Sequence, residues 1–432
     1  MNKSLQNFKQ MFKGIDWSSI FMLIMLLFHV ILSNNYDNWT SFSKVILSGD
    51  AYANYCPTEK RNGPPFPTGR CGKQRLYVSK LLPIIRSTNF IFSPIAGLSL
   101  DKFGPLITVS FGIMFAILCW VTFGFLIKTN WCVVMGCIFL GMSIDPSNFP
   151  PLMIKHRFPN SKNIVFALIG ASASLGSTVP IIMNKVLENT SITFKGLSFI
   201  YAFAFLGINW AFVSIIFFKL MKDNDGICLD QDCNTDIDLS NASICDCLKS
   251  LKFACISIFF FVVNLTLTYH QYFINATYKS DSYTIQILEI SFVSSFIPCI
   301  ILGVLVEKFG IAIVLLLLNF FGLLVPILSL YPNNVTGIIM SLCIMLMYSM
   351  FTTPIFCYVQ QAFPKHVFGV ISGIIYTIGG CAAMACLPLF ELCESDSTRY
   401  TINIVMIIIR AVSFVPLWYI YKAGSLKQLS DV

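Results

Sequence analysis

The stretch Gly97-Leu-Ser-Leu-Asp101-Lys102-Phe-Gly104 recurs later in the chain as Gly303-Val-Leu-Val-Glu307-Lys308-Phe-Gly310. Glycine, acid, base and glycine stand at identical offsets in the two copies, and each copy joins two apolar segments. A second pair keeps the same register, because Phe158-Pro159 and Phe363-Pro364 each precede a segment rich in small residues. Such a long-range repeat predicts two similar halves that follow one another in parallel.

The composition excludes a water-soluble fold. Hydrophobic residues make up 56% of the 432 residues and charged residues only 12%, against about 25% charged residues in soluble domains. Apolar runs of about 17–25 residues recur along the chain, which is the length of a helix that crosses a bilayer. The net charge of +8 is spread over the segments between these runs. We therefore expect the lipid bilayer as a partner and no nucleic acid.

Motifs of catalysis are missing from the sequence. No nucleotide-binding loop, nucleophile elbow, HExxH motif or dinucleotide fingerprint occurs, which gives no support to an ATP-driven pump or a hydrolase. Cys228, Cys233, Cys245 and Cys247 of the central polar segment match no paired zinc spacing. We expect no enzyme activity, no cofactor and no metal site.

The order of the apolar runs predicts an all-α membrane protein with twelve transmembrane helices in two six-helix bundles. The predicted spans are 17–33, 76–100, 106–127, 131–153, 163–187, 197–219, 251–273, 284–306, 311–331, 335–357, 367–391 and 401–421. The predicted units are a cytosolic N-terminus (1–16), a first bundle (17–219) with an outer loop at 34–75, a cytosolic linker (220–250), a second bundle (251–421) and a cytosolic tail (422–432).

The repeated turn carries a family resemblance. Its pattern, G-x-x-x-D-[RK]-x-G between the second and third spans, resembles the signature turn of the major facilitator superfamily. The long outer loop and the Phe-Pro turns resemble the large neutral amino-acid transporter branch and the apicomplexan amino-acid transporter family. The resemblance implies a cavity between the bundles that opens alternately to either side. It also implies that the turn, both termini and the linker are cytosolic, in a chain that functions as a monomer.

The resemblance further implies a gating role for the two turns. Asp101 would sit against the positive N-terminal end of a neighbouring helix and latch the bundles on the cytosolic side, with Glu307 as its counterpart. Glycine at 104 permits a tight reversal of the chain. The alternative is an ordinary turn between two helices. The gating candidates are Gly97, Asp101, Lys102, Gly104, Gly303, Glu307, Lys308 and Gly310.

Glycosylation sequons bear on the orientation. Asn38, Asn189, Asn275 and Asn334 each begin an Asn-x-Ser/Thr triplet in a predicted outer segment, whereas Asn241 does so in the linker. We expect a multi-pass glycoprotein, with the plasma membrane as its location.

Two charged residues at membrane depth are the first candidates for solute binding. Arg86 in the second span and Asp145 in the fourth lie about 15 Å and about 21 Å from the outer surface, at 1.5 Å per residue. Such residues mark functional sites by default. Arg86 could bind a carboxylate and Asp145 an ammonium group. The alternative is a structural ion pair that faces away from the cavity.

Polar residues on other spans complete the candidate set. The Asp145-Pro146-Ser147-Asn148 stretch should bend or break the fourth span and free backbone carbonyl groups, or simply bend it before the loop. For the histidines and Tyr376, a packing role is the alternative to solute contact. The further solute-binding candidates are Asn148, His29, Tyr269, His270, Tyr348, Thr352 and Tyr376.

We expect structural roles for two further charged residues and for one pair of cysteines. Glu289 should hydrogen-bond within its own bundle, and Arg410, in the last span, should have a structural partner. Cys56 and Cys71 flank a proline-rich stretch of the outer loop and could form a disulfide bond.

Together these patterns predict a carrier that moves a small polar organic solute by alternating access. An amino acid is the first candidate for the solute, and facilitated diffusion is preferred because the core of the first span holds no acidic residue. A sugar, nucleoside or monocarboxylate carrier remains an alternative, as does a non-transporting membrane receptor built on the same fold.

Overall fold

A computed structural model describes residues 16–56, 71–126, 129–158, 162–223, 244–278, 283–351, 353–364, 367–392 and 396–430. Within these ranges the chain is helical and forms no strand. The α-helices of the N-terminal half are Trp17–Ser33, Trp39–Ser48, Gly72–Ser79, Leu81–Leu126, Asn130–Asn148, Lys162–Gly176, Thr178–Asn189, Phe194–Phe199 and Gly207–Asp223. Those of the C-terminal half are Ile244–Lys249, Leu251–Thr277, Tyr283–Ser294, Phe296–Phe309, Ile311–Leu328, Asn334–Ser349, Thr353–Ala362, Phe368–Met384, Cys386–Leu392, Asp396–Val412 and Phe414–Ser430.

Ten helices in the described part of the chain are long and apolar enough to cross a membrane. One of them, Gly72–Phe125, has 54 residues, which is more than twice the length that one crossing needs. The apolar helix Trp17–Ser33 is shorter, at 17 residues. Large apolar side chains are exposed on the outside of these helices, for example Phe212 and Ile215. A contiguous apolar exterior is typical of a surface that contacts lipid.

The long helix contains the first repeated turn. Its backbone leaves the helical conformation at Gly104, with φ 78° and ψ 175°. Gly310 in the second turn adopts nearly the same conformation, with φ 79° and ψ 163°. Positive φ is favoured by glycine because this residue has no Cβ atom. The two sequence repeats therefore have the same local structure.

Two hydrophobic cores correspond to the two halves of the chain. One core consists of buried residues between Met22 and Leu220. The other consists of buried residues between Cys247 and Ile420, together with Phe90 from the N-terminal half. The predicted linker falls between the cores. Its residues 224–243 lie outside the described ranges. The same holds for most of the predicted N-terminal segment, residues 1–15.

The two halves pack against each other along Leu81–Leu126 and Phe368–Met384. A Cβ atom at Gly373 would lie 2.6 Å from the Cα atom of Pro94, so only glycine allows this approach. Farther along the same interface, the Ser87 hydroxyl donates a hydrogen bond to the Gly380 carbonyl at 3.0 Å.

The segment predicted as an outer loop contains the helix Trp39–Ser48, whose Trp39 and Phe42 side chains are buried. Cys56 and Cys71 form a disulfide bond that closes the loop behind it. Asn38 caps this helix and is fully buried, with its amide donating to the Glu289 carbonyl at 3.2 Å. A glycan at Asn38 has no room in this arrangement. The sequons at Asn189 and Asn334 are exposed, whereas the Asn275 side chain and the Asn241 sequon lie outside the described part.

The proline-rich end of the predicted fourth span is a change of helix type. The α-helix Asn130–Asn148 continues through Pro146, and a 3₁₀-helix, Pro150–Arg157, follows it. The predicted break therefore lies at Phe149, after Asp145 has already been placed on a regular helix.

Arg410 is buried in the core of the C-terminal half. Its Nε donates a hydrogen bond to Thr266 Oγ1 at 2.8 Å, and its Nη1 donates to Asn319 Oδ1 at 3.2 Å. Gly322 leaves room for the guanidinium group, since any Cβ atom there would overlap it. These partners belong to neighbouring helices, so Arg410 joins three helices of the same half.

Candidate solute site

One cavity lies between the two halves of the protein. It encloses about 990 Å³ between atoms, including the part that is open to solvent. Its walls come from Asn34, Asp37, Arg86 and Asp145 in the N-terminal half and from residues such as Tyr348 in the C-terminal half. A solute in this cavity would therefore touch both halves at once.

Arg86 contributes a guanidinium group to the cavity from the helix Leu81–Leu126. Its side chain is 1% exposed. The Nη1 atom donates a hydrogen bond to Thr268 Oγ1 at 3.0 Å, and the guanidinium carbon lies 5.9 Å from the Phe351 ring centre. The Nε–H group is buried and has no hydrogen-bond partner among the described residues. Arg86 thus connects the two halves through Nη1, and its Nε–H group remains available to a bound solute.

Asp145 lies in the same half, on the helix Asn130–Asn148, which packs directly on Leu81–Leu126. It is 5% exposed, and its Oδ2 atom is buried without a hydrogen-bond partner among the described residues. No ion pair within 4.0 Å joins it to Arg86 in the described part of the chain. Both groups line the cavity. A buried acceptor of this kind carries a large desolvation cost until a donor arrives.

Asp37 is a third charged residue of the cavity that sequence reasoning did not find. It follows Trp17–Ser33 directly and is 7% exposed. Its carboxylate is hydrogen-bonded by the Tyr348 hydroxyl of the C-terminal half and lies in the field of Arg86. Burial raises the pKa of the Asp37 carboxyl to about 6, and the Tyr348 hydrogen bond and the Arg86 charge oppose this rise.

Asp37 could have been suspected from the spacing of the residues after it. Trp39, Phe42, Val45 and Ile46 recur at helical intervals. This pattern predicts an amphipathic helix that packs on the bundle, and the residues before such a helix are held against the protein. The prediction of 34–75 as an outer loop gives Asp37 no fixed position, so that prediction does not bring Asp37 to the site.

Aromatic residues form much of the remaining wall. Tyr376 contacts Phe90 edge-on, with ring centres 5.2 Å apart, and stacks on Phe356 at 5.1 Å. Tyr348 stacks on Phe351 at 6.3 Å. The aromatic lining residues are Tyr36, Phe90, Phe149, Phe166, Tyr348, Phe351, Phe356 and Tyr376. Such rings offer both apolar contact and faces that attract cations.

Of the other sequence-predicted candidates, Asn148, Tyr348 and Tyr376 line the cavity. Asn148 exchanges two hydrogen bonds of 2.9 Å with the amide of Asn34, which is also a lining residue. This pair ties the end of the first span to the fourth and holds the wall beside Asp145.

His29, Tyr269 and His270 are not among the lining residues of this cavity. The His29 ring is hydrogen-bonded to the Ser147 carbonyl at 3.0 Å and to Asn209 Nδ2 at 2.8 Å, inside the N-terminal half. His270 lies 3.4 Å from Ser329 Oγ, inside the C-terminal half. These contacts correspond to packing roles. Thr352 lies outside the described residues, and its neighbour Thr353 lines the cavity.

The first repeated turn contacts the opposite half. A Cβ atom at Gly369 would lie 3.0 Å from Asp101 Oδ2, and Gly369 is in the first turn of Phe368–Met384. Asp101 is therefore close to the positive end of that helix dipole. Lys102 and Lys308 are exposed. Gly303 and Glu307 belong to the helix Phe296–Phe309, and the Glu307 side chain lies outside the described part of the structure.

At the other end of the interface, Lys44 pairs with Glu289. Lys44 Nζ is 2.6 Å from Glu289 Oε1. Glu289 lies on Tyr283–Ser294 of the C-terminal half, whereas Lys44 lies on Trp39–Ser48 of the N-terminal half. The expectation of a partner within the same bundle was wrong, because the loop helix folds across the interface and brings Lys44 to Glu289.

A helical membrane protein whose two halves enclose a cavity lined by aromatic and charged residues has the architecture of a solute carrier. The Major Facilitator Superfamily profile matches residues 85–387, which is most of the chain, and the chain belongs to this family. It is a carrier and not an enzyme.

Curated relatives match almost the whole chain at low identity. Amino acid transporter 6-1 of Toxoplasma gondii is 25% identical, over 94% of this chain and 79% of its own length. Cationic amino acid transporter 8 of Plasmodium berghei is 24% identical, over 95% of this chain and 90% of its own. Aromatic and large neutral amino acid transporter 5-3 of Toxoplasma gondii is 24% identical, over 93% and 83%.

Proposed function

We propose that this protein carries an amino acid across a membrane by alternating access. The observation that carries the proposal is a pair of unpartnered buried groups in one cavity, Arg86 Nε–H and Asp145 Oδ2. One is a cationic donor and the other an anionic acceptor. Burying either without a partner costs about 1–3 kcal/mol or more for a charged group, so a bound solute that satisfies both is strongly favoured.

A zwitterion satisfies both groups. The α-carboxylate accepts from Arg86, whose planar guanidinium suits this geometry, and the α-ammonium donates to Asp145. Sugars and nucleosides offer hydroxyl groups to both sites but no charge to either. The names of the three relatives, all of which refer to amino-acid transport, support the same solute class.

The topology we propose has twelve spans. Gly72–Phe125 counts as two because its backbone breaks at Gly104, and Trp17–Ser33 is the first span of the set. The two hydrophobic cores support two bundles that move as bodies. With the Asp101 turn in the cytosol, both termini are cytosolic, and the Lys44–Glu289 pair is on the outside. The protein acts as a monomer, since one bundle pair encloses the whole site. We place it in the plasma membrane and propose that it works by facilitated diffusion.

Thermal unfolding of the purified protein tests the solute class. A ligand that binds the native state raises the apparent stability, by about 2.7 kcal/mol at a hundred times Kd. We expect stabilisation by one or more amino acids and none by sugars, nucleosides or monocarboxylates. The Asp145→Asn variant should lose the effect, and the control variant Glu188→Gln, at an exposed position, should keep it. Stabilisation by another solute class alone would overturn the amino-acid assignment.

The position of Asp101 leads to a prediction about the cytosolic mouth. Asp101→Ala removes a carboxylate from the first turn of Phe368–Met384, an interaction of about 0.3–1 kcal/mol. We propose that this contact latches the cytosolic side, so its loss should raise opening of that side by about two- to fivefold.

Cysteine labelling measures this opening. Ser174 lines the cavity, so an impermeant maleimide applied to inside-out vesicles should modify Ser174→Cys faster in the Asp101→Ala background. Glu188→Ala is the control background. An unchanged labelling rate would reject the latch.

A further inference from the structure

Charge accounting in the cavity points to the kind of amino acid it takes. Among the described lining residues, Asp37 and Asp145 are acidic and Arg86 is basic. Two carboxylates and one guanidinium leave one negative charge uncompensated when all are ionised. A net charge in a largely buried site is costly, so the site is complementary to a solute with one net positive charge.

The positions of the three charged groups also determine which carboxylate lacks a cation when a solute is bound. In the empty cavity, Arg86 is the cation near Asp37 and compensates it in part. When a solute carboxylate binds Arg86, the same guanidinium group must compensate two negative charges, that of the solute carboxylate and that of Asp37. In the proposed function the α-ammonium group of the solute binds Asp145. A second cation is therefore needed to compensate Asp37. A cationic solute side chain can supply this charge, and a proton on Asp37 is the competing source.

We propose that Asp37 is a specificity-determining residue that receives the cationic side chain of the solute, so that the protein selects lysine-like or arginine-like amino acids over neutral ones. The proposal rests on the proposed amino-acid function. Asp37 is held in place for this task by Tyr348, whose hydroxyl donates to its carboxylate from the C-terminal half.

Aromatic rings beside Asp37 support a cation at this position. Tyr348 stacks on Phe351 and meets Phe292 edge-on, with ring centres 6.3 Å and 5.2 Å apart. Phe351 already accepts the Arg86 guanidinium on its face at 5.9 Å. A solute ammonium or guanidinium group between Asp37 and the Tyr348 ring would gain a charge-assisted hydrogen bond and a cation–π contact together.

Lysine and norleucine provide the sharpest comparison, because they share the α-carbon groups and the length of the aliphatic chain and differ by the terminal ammonium. In proteoliposomes with the full-length protein, we expect lysine to compete with labelled lysine at least about tenfold more effectively than norleucine does. In Asp37→Asn this preference should fall to about twofold or less, while norleucine competes unchanged or better. Asp37→Glu should restore the preference.

The outcomes separate this proposal from the proposed function. If norleucine, leucine or phenylalanine bind the wild type as well as lysine does, the role of Asp37 is overturned and the amino-acid carrier stands. If a proton rather than a solute cation neutralises Asp37, neutral amino acids bind better at pH 5.5 than at pH 7.5, which also overturns the proposal. If no amino acid binds at either pH, the proposed function itself fails. The wild-type comparison holds even where Asp37→Asn does not fold.

Discussion

Uptake should fall by about 100-fold in Arg86→Ala, with the protein still folded and present in the membrane. Arg86 supplies the only guanidinium among the described lining residues, and without it a solute carboxylate would be buried unpaired. Truncating one partner of a buried charged pair costs about 2–5 kcal/mol, and each 1.4 kcal/mol is a factor of ten. Arg86→Lys keeps the charge but loses the forked donors, so we expect partial activity.

Initial-rate uptake normalised to surface protein measures this effect. Because Arg86 also donates to Thr268 across the interface, Thr268→Val separates the two roles: it removes the hydrogen bond and keeps the guanidinium, and we expect it to retain at least about a third of the activity. Lys222→Ala, at an exposed position, is the charge-matched control. Uptake within twofold of wild type in Arg86→Ala would remove this residue from the solute site.

A reversible cross-link between positions 44 and 289 should abolish transport. Lys44 and Glu289 belong to different halves and meet at 2.6 Å. Alternating access requires these halves to separate on the outer side, so a covalent link there would trap the cavity with its outer mouth closed. In the double variant K44C/E289C, a bifunctional thiosulfonate reagent should reduce uptake to background, and a reductant should restore it.

The controls are the two single cysteine variants treated with the same reagent. Free cysteines at 245 and 381 are exposed in the native chain, so the single variants report any effect of the reagent at those sites. We expect less than twofold inhibition in each. Full uptake by the cross-linked double variant would show that this contact does not open during transport.

The fold could be predicted in outline because its signals are redundant along the chain. Apolar runs of membrane length, and a turn whose glycine recurs in register, each indicate the same architecture. The Gly104 and Gly310 backbones agree within a few degrees in φ, as the repeat requires. The count of separate helices was harder to predict, since the single apolar segment Gly72–Phe125 contains the backbone break at Gly104.

Some charged residues of the candidate site could be predicted from the sequence and one could not, and the difference has a physical reason. Arg86 and Asp145 stand out because ionised groups are rare in apolar runs, and this rule depends on sequence alone. Asp37 does not stand out in a polar segment, and its position depends on the packing of Trp39–Ser48 across the interface. His29 and His270 are also unusual for apolar runs, yet their contacts are internal to one half. Sequence shows which groups must be buried, whereas only the packing shows which wall they face.

If Asp37, Asp145 and Arg86 are all ionised in the empty protein, the cavity carries one net negative charge, and this charge has an electrical consequence. A carrier with one net negative charge when empty is neutral when it holds a cationic amino acid, so the charge moves during the return of the empty protein. A membrane potential that is negative inside drives this negative cavity towards the outside and speeds the return. An elementary charge that crosses the full field is worth about 2.3 kcal/mol per 100 mV. The resting potential alone would then concentrate the solute inside the cell, with no coupled ion.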